Sequence, residues 1–218
     1  MPTMTDLQAR SQTPRHQGDA RVVYGPAETP YSGFFQLDLH RFSFEQFDGK
    51  MSEQVAREVL DRGNSVAILP YDPHLDRVML IRQFLIGAEL AKRPNRPLQV
   101  IAGMVDKGET ALDTARREAV EEAGLKVHWI RPAPAFLPSP GGTSEYVETF
   151  AAMADLSGPL GHRGTFGVAT ENENIVAEVL TAEDAIARLD AGEIEAGPAV
   201  VLLQWFARFR DKLRTDWS

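Results

Sequence analysis

Residues 103–125 read GMVDKGETALDTARREAVEEAGL, and the interpretation of the chain turns on this stretch. Gly103 and Gly124 bracket an acidic run that holds Glu109, the pair Arg117-Glu118 and the pair Glu121-Glu122. The spacing predicts a helix over residues 110–122. Thr110 is placed as its N-cap with Asp113 three positions on, and Gly124 is placed to end it with a positive φ. Leu112, Ala115 and Ala119 fall at i, i+3 and i+7 and supply the stripe expected to be buried. Glu118, Glu121 and Glu122 stand at i, i+3 and i+4, which puts their carboxylates within one turn on the opposite face. Like charges so spaced repel. Either the face is solvated and softened by Arg116 and Arg117, or it is built to hold a hard divalent cation beside a phosphate.

Composition narrows the setting. With 218 residues, 43% hydrophobic and 25% charged, the chain suits one large globular domain or a domain with a smaller companion. No apolar run reaches the roughly 18 residues that argue for a membrane span. The N-terminus lacks an apolar signal core, which predicts that the protein is not secreted. No cysteine is present, so disulfides, thiolate metal sites and a cysteine nucleophile are excluded, and a cytoplasmic setting is compatible. A net charge of −8 and a pI near 5.2 argue against nucleic acid as a partner. A small phosphorylated substrate remains compatible, because bound cations reverse the local sign of a site.

Taken in order, residues 1–20 are expected to be a loose tail and residues 21–63 a small antiparallel β domain. In the latter, a Gly25-Pro26 turn follows the first strand, and Asp48-Gly49 ends a run of alternating aromatic and aliphatic residues. Residues 51–62 fit helix or strand equally. A second domain is expected over 64–218. It opens with a hairpin from residues 65–71 and 77–84, continues through a charged loop at 87–97, and sends a strand at 98–102 into Gly103. Strands follow at 127–137, 145–156 and 175–180, with a glycine-rich mobile loop at 157–174. A short helix capped by Thr181 and a last helix over 198–213, apolar face Val201, Trp205, Phe206 and Phe209, complete a mixed α/β (α+β) plan.

The acidic stretch matches, position by position, the Nudix box: Gly, five residues, Glu, seven residues, Arg-Glu, an aliphatic residue, any residue, Glu-Glu, any residue, Gly and an aliphatic residue. Together with residues 139–145 (SPGGTSE) and 171–173 (ENE), it resembles the ADP-ribose pyrophosphatases of the Nudix superfamily. The resemblance implies an α/β/α sandwich with a mixed sheet. It also implies a homodimer that exchanges its small N-terminal β domains.

On that resemblance Glu118, Glu121 and Glu122 correspond to metal-binding glutamates, joined by the Ala102 carbonyl and by Glu173. The expected cofactor is Mg²⁺, or Mn²⁺, with two or three ions per site. Glu171 corresponds to the general base, with Glu121 also in the catalytic set. Phe34, Phe35, Arg57, Glu58, Arg62, Met104, Ser139, Pro140, Gly141 and Glu145 correspond to substrate contacts, the two phenylalanines by stacking on adenine. Glu109 is expected to support the box loop, and Arg117 to orient a box glutamate. The chemistry is coherent: a doubly anionic pyrophosphate yields to water once cations neutralise it, and a base on a glycine-rich loop can enter with substrate. Two positions depart from the family pattern. Leu85 ends Arg82-Gln83-Phe84-Leu85 where relatives have a second arginine, and Gln99 stands where they tend to have glutamate. The expected substrate is a nucleoside diphosphate sugar, ADP-ribose first, with GDP-mannose, NADH or a non-hydrolysing sensor role as rivals.

Overall fold

The computed structural model describes residues 19–217, so the expected N-terminal tail lies outside it but for its last two residues. Backbone contacts divide the chain into two units, one comprising the residues up to Arg62 with Ser139–Glu145, the other Gly63–Pro138 with Tyr146–Ser218.

The first unit is a three-stranded antiparallel sheet of β1 (Val22–Ser32), β2 (Gln36–Phe44) and β3 (Val55–Asp61), in that order. The turn expected at Gly25-Pro26 does not form. β1 continues through it with a register shift between Tyr24 and Ala27, since proline on an edge strand removes a donor without ending the ladder. Residues 51–62, undecided in sequence, contribute β3. Asp38 is buried in β2 and satisfied by the Thr29 hydroxyl at 2.6 Å and the Gln36 amide at 2.8 Å. The distant segment Ser139–Glu145 joins this unit through backbone pairing. Leu60 N–H donates to Gly142 O at 2.8 Å, and Ser144 N–H to Leu60 O at 3.3 Å.

The second unit is built on a mixed sheet. Its strands are β4 (Ser65–Asp72), β5 (Arg77–Arg82), β6 (Leu98–Gln99), β7 (Ile101–Met104), β8 (His128–Phe136), β9 (Val147–Met153), β10 (Gly161–Phe166) and β11 (Ile175–Thr181). The order is β10-β11-β5-β4-β9-β8, with β6 on β5 and β7 on β4; β4 and β9 run parallel and the other pairs antiparallel. The helices are α1 (Ile86–Leu90), α2 (Ala111–Ala123), α3 (Ala182–Asp190) and α4 (Gly197–Trp217). Both sheet faces are covered, which is why β4 and β5 are nearly continuous apolar runs. Ala67, Leu69, Tyr71, Val78 and Leu80 pack with α3 and α4, while Val66, Ile68, Met79 and Ile81 pack with α2. The expected α/β/α sandwich is present. On the edge strand β8, Pro132 and Pro134 interrupt the run of backbone donors.

Three expectations need correction. Residues 157–174 are not one loop: 161–166 form β10 and 169–171 a 3₁₀ turn, because β11 supplies a pairing partner for a glycine-rich strand with no periodicity of its own. The loop at 87–97 begins inside α1. The buried stripe of α4 is Ala199, Leu202, Leu203, Phe206 and Leu213, so of the predicted face only Phe206 is fully buried. That helix is tied to the β4–β5 turn. Asp76, at φ 56, accepts hydrogen bonds from the Tyr71 hydroxyl at 2.9 Å and from Arg210 Nε at 2.8 Å, with Arg214 at 3.8 Å. Burial raises the Asp76 pKa, but the bonds from Arg210 and Tyr71 outweigh it and hold the carboxyl below its usual range.

Candidate active site

Helix α2 starts and stops as its sequence dictates. The Thr110 side chain accepts from Asp113 N–H, and Gly124 closes the helix at φ 64. Its orientation differs from expectation. Leu112 is 36% exposed, while Glu118 and Glu122 are buried beside Ala115 and Ala119 instead of lying opposite them. Positions 115, 118, 119 and 122 are spaced i, i+3, i+4 and i+7 and so share one face, and room for its carboxylates is made by Gly103 on β7. A Cβ there would lie 1.8 Å from Glu118 Oε1 and 2.1 Å from its Cδ, so the glycine is the space into which Glu118 folds. Small residues on helix and strand bring the carboxylates against the sheet.

Arg117 is the counter-charge. Its Nη1 donates to Glu118 Oε1 and to Glu121 Oε2, each at 2.8 Å, and its Nε to Glu109 Oε1 at 3.2 Å. Its Nη2 reaches Glu109 Oε2 at 3.1 Å and the Met104 carbonyl at 3.2 Å. Glu109 also accepts from the Thr114 hydroxyl at 2.8 Å, and the Arg117 bonds hold its carboxyl below the usual range. One guanidinium thus gathers three box glutamates.

A single arginine does not neutralise the cluster. Burial pushes Glu118 up to about 7, against the opposing pull of Arg117 and with added repulsion from Glu121 and Glu173. Glu122, only 1% exposed, is pushed up to about 8 by burial. The Ala102 N–H, donating to Glu122 Oε2 at 3.0 Å, opposes that rise, and the charges of Glu118, Glu173 and Glu121 add to it. Glu173 therefore lies within electrostatic reach of the helix carboxylates. Its own carboxylate accepts from Val168 N–H at 3.1 Å, within the turn that follows β10. Glu171 lies in the same turn and is exposed. Among the described residues, no three His, Asp or Glu side chains converge in the form of a ready metal cage; Arg117 occupies oxygens of Glu118 and Glu121, and a backbone N–H one of Glu122.

In the first unit, some of the remaining candidates come together. The Arg62 guanidinium lies 5.2 Å from the centre of the Phe35 ring and 3.4 Å from Glu145 Oε2, and Glu145 is 6% exposed. Phe34 is 84% exposed, with its ring 4.9 Å from that of Phe35. Arg57 and Glu58 are exposed on β3, and Arg57 Nη1 donates to the Ala56 carbonyl at 2.8 Å. Ser139, Pro140 and Gly141 are exposed at the start of the inserted segment. Sequence reasoning gave Gly103 only a bracketing place and overlooked Gly167 and Phe166. Close approach to a helix is a property of pairs distant in sequence, and no local pattern announces it.

A family model for the NUDIX domain matches residues 61–201. The chain belongs to the Nudix family. Its relatives include the ADP-ribose pyrophosphatase of Escherichia coli (strain K12), 41% identical over 88% of this chain and 90% of that one. The ADP-ribose pyrophosphatase of Haemophilus influenzae is 38% identical over 88% of each chain. A GDP-mannose pyrophosphatase of Yersinia enterocolitica is 34% identical over 77% of this chain and 86% of that one. A solved structure described as an ADP compounds hydrolase shares the fold, with a TM-score of 0.65 over 89% of this chain and 95% of the other at 20% identity.

Nudix hydrolases generally use a divalent cation, and the residues here suit one. The donors are carboxylate oxygens, the chemistry a hard cation prefers. Burial, with mutual repulsion adding to it, raises the pKa of Glu118 and Glu122, so in their charged form they call for more positive charge than Arg117 supplies.

Proposed function

We propose that the chain is a Mg²⁺-dependent pyrophosphatase that hydrolyses ADP-ribose to AMP and ribose 5-phosphate. The observation that carries the chemistry is the cluster of buried Glu118 and Glu122 with half-buried Glu121, under-neutralised by Arg117 alone, with Glu173 in electrostatic reach. The substrate is favoured by the 41% identity to ADP-ribose pyrophosphatases over nearly the full length of both chains. Water adds to one phosphorus, the bridging P–O bond breaks, and the bridging oxygen leaves with the other phosphate. A divalent cation, when bound, would neutralise the pyrophosphate and make water a stronger nucleophile at neutral pH.

In this reading Glu118, Glu121, Glu122, Glu173 and the Ala102 carbonyl hold the cation, with two or three ions per site. Glu171, exposed on its short turn, takes the proton of the attacking water. Arg117 orients the box glutamates. Phe34 and Phe35 offer aromatic faces to a base, and Arg62, set between the Phe35 ring and Glu145, offers a donor; Arg57, Glu58, Met104, Ser139, Pro140 and Gly141 complete the contacts. A homodimer that exchanges its N-terminal sheets belongs to the same reading. It is supported by Val23, Tyr31 and Phe34, which are 55%, 61% and 84% exposed on that sheet and its first turn. No helix among the described residues is long and apolar enough to cross a membrane, and the cysteine-free chain fits a cytoplasmic location.

The second reading is hydrolysis of GDP-mannose. It is favoured by the 34% identical relative of that name. A panel of nucleoside diphosphate sugars with Mg²⁺, analysed for products beside Glu118→Gln, separates the readings. AMP and ribose 5-phosphate from ADP-ribose, lost in the variant, supports the proposal. GDP-mannose turnover in preference to ADP-ribose replaces the substrate and keeps the chemistry. ADP-ribose bound without hydrolysis converts the protein to a sensor.

A further inference from the structure

The turn that bears Glu171 and Glu173 is fastened to the end of α2. Gly167 N–H donates to the Glu121 carbonyl at 3.0 Å. That carbonyl belongs to the last turn of the helix, whose final carbonyls have no partner within the helix itself. Gly124 and Leu125 N–H groups return to Val120 and Ala119, and Gly167 supplies the donor for the next carbonyl in line. Beside this bond the Phe166 ring lies against Gly124: a Cβ on Gly124 would come 2.7 Å from Phe166 Cε1. On its other side, a Cβ on Gly164 would meet the same ring at 3.0 Å. Phe166 also packs against the core beneath α2. The turn then folds back on its own anchor. Gly167 has φ 108, and a Cβ there would lie 2.7 Å from Glu173 Cβ. Glu171 and Glu173 N–H groups both point to the Val168 carbonyl, at 3.0 and 3.4 Å.

Gly164 and Gly167, which flank Phe166 in the chain, and the distant Gly124 are thus shaped around one ring and one glutamate. We propose that Phe166 and Gly167 are positioning residues, which fasten the turn 168–173 to the C-terminal end of α2 so that its glutamates keep register with the helix carboxylates. The inference rests on the hydrolytic reading above for its consequence in turnover, but not for the fastening itself. The repulsion that Glu173 exerts on Glu118 and Glu122 accords with such a fixed register. The terminal glycine of the box gains a second duty: besides adopting a positive φ, it leaves room for the ring.

The test uses Gly124→Asn, because asparagine tolerates the left-handed conformation while bringing the Cβ that the ring excludes. It is made in the wild-type and in the Phe166→Leu backgrounds, with thermal melting to verify that each variant folds. Displacing a reacting group by about 1 Å costs up to about 100-fold, so kcat for ADP-ribose should fall at least about 10-fold with KM within about twofold. In the Phe166→Leu background the same substitution should cost less than about threefold, since the obstructing ring edge is gone. Amide exchange of the full-length protein reads the fastening without substrate. Gly167 N–H should be protected in the wild type and should exchange at least about 10-fold faster in Gly124→Asn, with the amides of residues 115–119 unchanged. An equal loss of kcat in both backgrounds, or a Gly167 amide unprotected in the wild type, overturns the proposal. If the wild type does not hydrolyse ADP-ribose, the substrate reading fails and the exchange measurement still decides the fastening.

Discussion

The buried carboxylates make the stability of the metal-free protein fall as pH rises, and Glu122→Gln should remove much of that fall. Glu122 is 1% exposed and pushed up to about 8, chiefly by burial, whereas an unfolded glutamate releases its proton near its ordinary value of about 4.3. Between these values the folded state holds a proton that the unfolded state has lost. Stability therefore decreases with pH, at up to about 1.4 kcal/mol per pH unit for one such group. The contribution is fully favourable below the unfolded value and is lost as pH passes through the folded one. From about pH 6 to about pH 8, Glu122 alone removes roughly 2 kcal/mol, and Glu118, pushed up to about 7, acts in the same direction. Glutamine keeps an oxygen to accept the Ala102 N–H and has no proton to lose. The assay is urea unfolding in the presence of a chelator at about pH 6 and about pH 8, for wild type and Glu122→Gln. The variant should lose roughly 2 kcal/mol less between the two conditions. Saturating Mg²⁺ should restore the wild type at the higher pH through binding to the folded state alone. Wild-type stability equal or greater at the higher pH, with no change in slope in the variant, would refute the reasoning.

Gly103→Ala places a Cβ 1.8 Å from Glu118 Oε1, so Glu118 must leave its recess; destabilisation of roughly 1–3 kcal/mol by urea titration, with loss of turnover, is expected. Asp76→Ala removes the acceptor shared by Tyr71 and Arg210 and puts alanine at φ 56, which should cost roughly 2–4 kcal/mol in the same titration, with KM unchanged. Arg117→Ala removes the cation that draws Glu118 and Glu121 together, so kcat should fall at least about 10-fold, and Arg117→Lys, lacking the planar fork, should restore only part of it.

The helix that organises the site was legible because its limits are written locally: Thr110 caps it and Gly124 ends it. The strands β4, β5 and β11 were legible for a related reason, since short apolar runs bounded by turn residues have few other solutions. Which face of α2 turns inward was not. Ala115, Glu118, Ala119 and Glu122 are spaced i, i+3, i+4 and i+7 and share one face, yet ordinary patterning sends charges to water. The structure buries Glu118 and Glu122 because Gly103, on a strand, provides the recess, and such complementarity exists only after folding. The same holds for residues 139–145, whose affiliation with Leu60 depends on backbone pairing across a long stretch of chain, and for β10, a strand only because β11 lies beside it. Family resemblance supplied the roles of Glu171 and Glu173. The placement of Glu173 within electrostatic reach of the helix carboxylates is a property of the fold.

The prolines of β8 have a consequence beyond their own strand. A sheet whose last strand offers a full row of N–H groups can recruit an extended segment from another molecule and grow indefinitely. Pro132 and Pro134 deprive that border of donors at alternate positions, two residues apart, which is the spacing an incoming strand would use. The large sheet therefore ends at β8, and self-association through added strands must find another route. The opposite border of the large sheet is β10, which carries no proline, so strand addition between copies is directed away from β8 and left to β10 or to the smaller sheet.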